Sequence, residues 1–97
     1  MVKVFLNEKL IGESDSTVQI EGNHYFPIEA INIEFLKSSN LQTTCPWKGV
    51  ASYYHLYFDG IELKDKVWYY PNPSPAAEAI KDKIAFYQRE GIRVVED

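Results

Sequence analysis

Cys45, Lys48 and His55 are the residues in this chain whose types and spacing admit chemistry. They lie in or just beyond Leu41 to Tyr54, L-Q-T-T-C-P-W-K-G-V-A-S-Y-Y, a stretch that also holds Trp47 and Gly49. A lysine three residues from a cysteine favours the thiolate, and a histidine brought close in space would act as its base. Against this stands the ordinary habit of a lone cysteine, which is to be buried as a small hydrophobe. No C-x-x-C partner strengthens the reactive reading, and His55 alone fits a hydrogen-bonded structural histidine better than an acid or base. Lys48-Gly49 offers a second chemistry. It sets an ammonium beside a backbone N–H that glycine lets a ligand approach, which suits an anion. The spacing of a P-loop is absent, and the plain alternative is a solvated lysine before a strand-entry glycine. Thr43 and Thr44 fit loop capping, with a donor to a ligand as the alternative.

The second constellation is aromatic. Tyr53, His55 and Tyr57 alternate along one predicted strand face, and Trp47, Trp68 and Tyr70 can join them as a wall for a flat ligand. The competing reading is an aromatic core. Carboxylates do not converge in the same way: Asp15, Asp59, Asp65, Asp82 and the pair Glu96-Asp97 are scattered, with no D-x-D beside a glycine-rich turn. Neither paired-carboxylate hydrolysis nor metal-assisted phosphoryl transfer finds support in that pattern. One cysteine excludes an internal disulfide, and with only His24 and His55 added it makes a thin zinc ligand set, so no metal is expected. The cofactor is left open.

The elements that must position these residues read as strands. Val2 to Leu6 and Lys9 to Ser14 flank Asn7-Glu8 as a hairpin, and Thr17 to Ile20 alternates as a half-buried strand up to the breaker Glu21-Gly22-Asn23. Pro27 followed by Ile28 and Glu29 predicts one short helical turn. Ile33 to Leu36 reads as extended and Lys37 to Gln42 as a polar loop. Val50 to Phe58 and Ile61 to Tyr70 flank Asp59-Gly60, the best hairpin turn in the chain. Neither face of that hairpin is purely polar, so it is expected to be covered on both sides or to line a cavity. Ser74-Pro75 predicts a helix start, the apolar stripe over Ala76 to Glu90 predicts the helix, and Gly91 its end. Ile92 to Val95 closes the chain as a strand. The expected architecture is mainly β (α+β): a small antiparallel sheet or open barrel of six or seven strands, with one C-terminal helix packed on it.

Composition bounds the partners. Ninety-seven residues suffice for one domain over 1–97, and 45% hydrophobic with 25% charged residues is the balance of a soluble globular chain. A formal net charge of −4 without a basic run argues against nucleic acid and against a membrane surface. No signal-like apolar leader or membrane-length run is present, so a cytoplasmic location is expected. A small-molecule partner is compatible with all of this, and the oligomeric state is left open.

The runs T-T-C-P-W-K-G-V-A-S-Y-Y, V-W-Y-Y-P-N-P-S-P-A-A-E-A-I and I-A-F-Y, with H-Y-F-P-I-E-A-I upstream, resemble the family called domain of unknown function 427. The resemblance covers about Tyr25 to the end. Ala30 departs from it where an acidic residue is usual, as does Ser39 to Thr44 in the approach to the cysteine. The resemblance implies a small mainly-β domain with a C-terminal helix. It places Thr44, Cys45, Pro46, Lys48, Gly49, Tyr53, Trp68, Tyr70 and Pro71 at family-pattern positions. The family sometimes carries a nucleotidyltransferase label, which the scattered carboxylates do not support. The reading that results is a ligand-binding domain for a small planar, anionic molecule, built from Thr44, Cys45, Trp47, Lys48, Gly49, Tyr53, His55, Trp68 and Tyr70. The alternatives are an enzyme using Cys45 with His55, a nucleotidyltransferase-like activity, and a protein-interaction module.

Overall fold

A long central hairpin organises the molecule, and it is the one the Asp59-Gly60 turn predicts. In the computed structural model, which describes all 97 residues, β6 (Gly49–Phe58) and β7 (Ile61–Tyr69) pair antiparallel. Asp59 and Gly60 both have positive φ, 52° and 78°, the geometry that suits the right-handed twist of two flanking strands. Period-2 alternation then separates two sets of side chains. Leu56 and Val67 point into one buried cluster with Val4, Ile11, Phe26 and Ile84. Ala51, Tyr53, Trp68 and Tyr70 point into a second, with Tyr25, Ala77, Ile80 and Ala85. Both faces of the hairpin are covered, as their mixed patterning requires.

The remaining strands complete three antiparallel sheets. β1 (Val2–Leu6) lies between β2 (Lys9–Ser14) and β9 (Ile92–Glu96), and β3 (Val18–Ile20) pairs with β4 (Asn23–Tyr25). The third sheet runs β5 (Leu36–Cys45), β6, β7, β8 (Ile84–Phe86). Reciprocal backbone bonds between Phe26 and Ile84, 2.7 and 2.9 Å, tie the β3–β4 hairpin to the outer edge of β8. The short turn after Pro27 forms as a 3₁₀ turn over Ile28–Ala30. A Cβ at Gly12 would stand 2.1 Å from Ile31 Cδ1 and 3.0 Å from the Ala30 carbonyl oxygen, so any side chain there would have to displace Ile31.

Four expectations need correction. Nine strands form, not six or seven, and they make three sheets, not one sheet or barrel. The C-terminal helix over Ala76 to Glu90 is absent. Pro75–Ile80 makes two 3₁₀ turns kinked at Ala77, Lys81 leaves helical geometry at ψ 126°, and Asp82 has φ 60°. The reason is competition for the edge of β7. A strand at Ile84–Phe86 satisfies that edge and buries Ile84 and Phe86 in one cluster and Ala85 in the other, whereas a helix would leave β7 backbone groups unpaired. Ile33–Phe35 is a 3₁₀ turn capped by Asn32, whose side chain accepts from the Glu34 N–H at 3.0 Å. Lys37 to Gln42 belongs to β5, which lies at a sheet edge with most side chains in solvent and so carries no apolar alternation. Its register shifts between Ser38 and Gln42, a bulge that with the polar side chains blunts the edge. No helix is long and apolar enough to cross a membrane.

Candidate functional site

The pairing of β6 with β7 sets Tyr53 opposite Trp68, and Tyr70 follows two residues on along the same face. Small residues flank them: Ala51 beside Tyr53, and Ala85 opposite Trp68 on β8. This alternation of large and small leaves space above the rings. The result is a cavity of about 420 Å³ walled by Tyr53, Trp68 and Tyr70, by Phe86, Tyr87 and Gln88 as the chain leaves β8, and by Asn23 and Lys48. Trp68 is fixed from below, since its indole N–H donates to the Tyr25 hydroxyl at 3.1 Å and the two rings meet edge to face. From outside, Tyr87 packs on it with ring centroids 4.6 Å apart. Thr43 Oγ1 and the Tyr53 hydroxyl are 2.9 Å apart.

Lys48 is the one charged side chain buried in the molecule, at 7% exposure. The loop from Pro46 to Lys48 between β5 and β6 holds it, and the Pro71 to Ser74 segment clamps that loop. Ser74 N–H donates to the Lys48 carbonyl at 2.9 Å, and its hydroxyl donates to the Trp47 carbonyl. Gly49 has φ 112°, which an L side chain rarely adopts, and a Cβ there would meet the Asn72 carbonyl at 3.3 Å. The ammonium lies 5.5 Å from the ring centres of both Trp47 and Tyr70. It forms an ion pair with Glu21, at the β3–β4 turn.

Burial alone would lower the Lys48 value. The Glu21 hydrogen bond and the phenol oxygens of Tyr25 and Tyr70 outweigh it, and the group is held well above its ordinary 10.5. Lys48 is therefore a fixed positive charge at neutral pH and not an amine nucleophile. Glu21 shows the reciprocal effect, lowered chiefly by its bond to Lys48. Burial raises the Tyr70 phenol against the opposing pull of Lys48, and burial with the adjoining Tyr53 hydroxyl raises Tyr87. The cleft thus holds neutral hydroxyls around one cation.

Of the residues marked in the sequence, Lys48, Tyr53, Trp68 and Tyr70 converge on the cavity. Trp47 does not line it and is 41% exposed, with the Lys48 ammonium 5.5 Å from its ring centre. Gly49 shapes the loop, and Thr44 is exposed on β5, paired with Val50. Cys45 is half-buried against the second cluster, free of any disulfide. His55 is elsewhere: it lies six residues beyond Gly49, the Cα partner of Cys45, roughly 20 Å along a strand. There its Nδ1 accepts the Asp65 N–H at 3.1 Å, while Ser39 Oγ donates to the Asp65 carboxylate. His24 is engaged at both ring nitrogens, by Thr17 at 2.9 Å and Glu96 at 3.4 Å. No Cys45–His55 pair forms. Asn23, Tyr87, Gln88 and Glu21 were not legible as site residues. Tyr87 was hidden in the apolar stripe read as a helix, and Glu21 in a turn.

The fold and site define a mainly-β domain with an aromatic cleft and one buried lysine. The chain belongs to the family described as Domain of unknown function (DUF427), whose sequence profile matches residues 1–97, the N-terminal strands included. Among curated proteins, none matches the chain.

Proposed function

We propose that the domain binds a small planar anionic molecule in the cleft above Tyr53, Trp68 and Tyr70, with Lys48 as its charge partner. The observation that carries this reading is a permanently charged, buried ammonium opening onto an aromatic-walled cavity of 420 Å³. Rings offer stacking surface for a flat ligand, hydroxyls and Asn23 supply selectivity, and a cation shielded from water attracts an anion more strongly than one in solvent. The net charge of −4 supports a small ligand over a polyanion such as nucleic acid. A half-buried free thiol beside the cleft suits a reducing compartment such as the cytoplasm.

Nucleotidyl transfer finds less support. That chemistry needs carboxylates converging on divalent metal, and no group of three His, Cys, Asp or Glu side chains is placed to hold one. A Cys45 nucleophile would need a base that neither His55 nor His24 supplies in this arrangement.

The test is a thermal-shift screen of aromatic acids, flavins and nucleotides against the wild type and Lys48→Met. Methionine keeps the buried stem and removes the charge. A true ligand at a hundred times its Kd should stabilise the wild type by about 2.7 kcal/mol. Lys48→Met should lose that shift while folding normally. An anionic ligand that stabilises both proteins equally would refute the role of Lys48.

A further inference from the structure

The anion seat on Lys48 is filled from within the chain. Glu21 stands at the tip of a hairpin with three residues in each strand, in a left-handed conformation (φ 55°) followed by Gly22 at φ 81°. From there its carboxylate meets two donors, one oxygen on the Lys48 ammonium and the other 3.4 Å from the Trp47 indole N–H. Two donors, each addressing one oxygen, make a seat for a flat two-oxygen anion. The cationic donor is fixed: Lys48 is buried and its loop is clamped at Ser74. The acceptor is not, because the Glu21 side chain is half exposed, and ion pairs open to solvent hold weakly. Aromatic rings continue from this seat into the cavity, Tyr70 beside the ammonium and then Trp68 under Tyr87.

We infer that the cleft takes an aromatic carboxylate, whose carboxylate displaces that of Glu21 from Lys48 and Trp47 while its ring enters the cavity bordered by Tyr53, Tyr70 and the packed Trp68–Tyr87 pair. This rests on the reading of the cleft as a ligand site and adds the class of ligand and a built-in competitor. A phosphoryl group fits less well, since it brings more oxygens and up to two charges to a seat with one cation and one further donor. Glu21 lowers the apparent affinity by the fraction of time it occupies the seat, so freeing the seat tightens binding.

The experiment titrates naphthalene-2-carboxylate into the wild type, Glu21→Gln, Glu21→Asn and Lys48→Met, followed by tryptophan fluorescence and by the backbone NMR signals of residues 18–25. Asparagine tolerates the left-handed turn and is too short to reach Lys48, so it guards against a folding artefact in the glutamine variant. Both Glu21 variants should bind about tenfold tighter than the wild type, as expected if Glu21 holds the seat roughly nine-tenths of the time. Lys48→Met should not bind, and neutral naphthalene-2-methanol should bind all four proteins alike. If both Glu21 variants bind the carboxylate no tighter than the wild type does, the competitor is refuted while the cleft reading stands. If phenylphosphonate gains more than the carboxylate from Glu21→Gln, the assignment to carboxylates is overturned. If no variant binds any probe, the cleft reading falls with it.

Discussion

Lys48 shows how one side chain can be buried and charged at once. Its ammonium lies 5.5 Å from the ring centres of Trp47 and Tyr70 and is paired with Glu21, and its loop is clamped by Ser74. The pairing carries a pH signature. Glu21 is held below its ordinary 4.5, so its stabilisation is complete above pH 4.5 and fades as pH falls through the lower folded value. Lys48 is held above its ordinary 10.5, so its share is complete below pH 10.5 and is lost only at more alkaline pH. Stability should therefore be flat in this pair between about pH 5 and 10 and should decline in acid. Acid unfolding followed by circular dichroism should show Glu21→Gln with a shallower decline below pH 4.5 than the wild type. Lys3 with Asp97 behaves in the same sense, and contributes equally to both curves.

Among the elements, the loop between β5 and β6 depends on its glycine. Gly49 combines φ 112° with a backbone carbonyl at 3.3 Å from a hypothetical Cβ, so Gly49→Ala meets both strain and crowding. It should cost roughly 1–3 kcal/mol in urea unfolding, and it should weaken ligand binding by shifting Lys48. Gly60→Ala, with positive φ but open space around it, should cost less. The segment Ala76 to Glu90 teaches the opposite lesson. Its helical stripe is real as a pattern, with Ala77, Ile80 and Ile84 buried, yet a strand and 3₁₀ turns bury the same residues. Local periodicity reports which side chains go inside. It does not report which backbone takes them there when a sheet edge needs a partner.

For the whole molecule, the two faces of β6–β7 carry two jobs. One face packs the larger cluster against β1, β2 and β9, and the other builds the cleft. Ile84 joins these parts: it is fully buried, pairs with Tyr69 and bonds to Phe26 on both sides. Ile84→Ala should cost about 2–5 kcal/mol, a large share of the stability of a domain this size, read from the shift in denaturant midpoint. Stability should also be uneven. The β3–β4 hairpin carries Glu21 and has only three residues in each strand, so the amides near its tip should exchange with solvent well before those of β6 and β7. That low-stability hairpin is the element whose movement would uncover Lys48.

The sequence alone determined the β character, the two hairpins with turns at Asn7-Glu8 and Asp59-Gly60, and the shared face of Tyr53, Trp68 and Tyr70. Each follows from local rules: alternation, turn residues and strand propensity act between near neighbours. The family membership was equally legible, because motifs such as T-T-C-P-W-K-G are continuous in the chain. Only the tertiary structure decided that His55 sits far along the strand from Cys45, and that β8 takes the place of a helix. It also decided that Glu21, twenty-seven residues before Lys48, pairs with the Lys48 ammonium. The physical reason is common to all three. Pairing across strands and burial of charge depend on contacts distant in sequence, and no local pattern encodes which distant group will arrive.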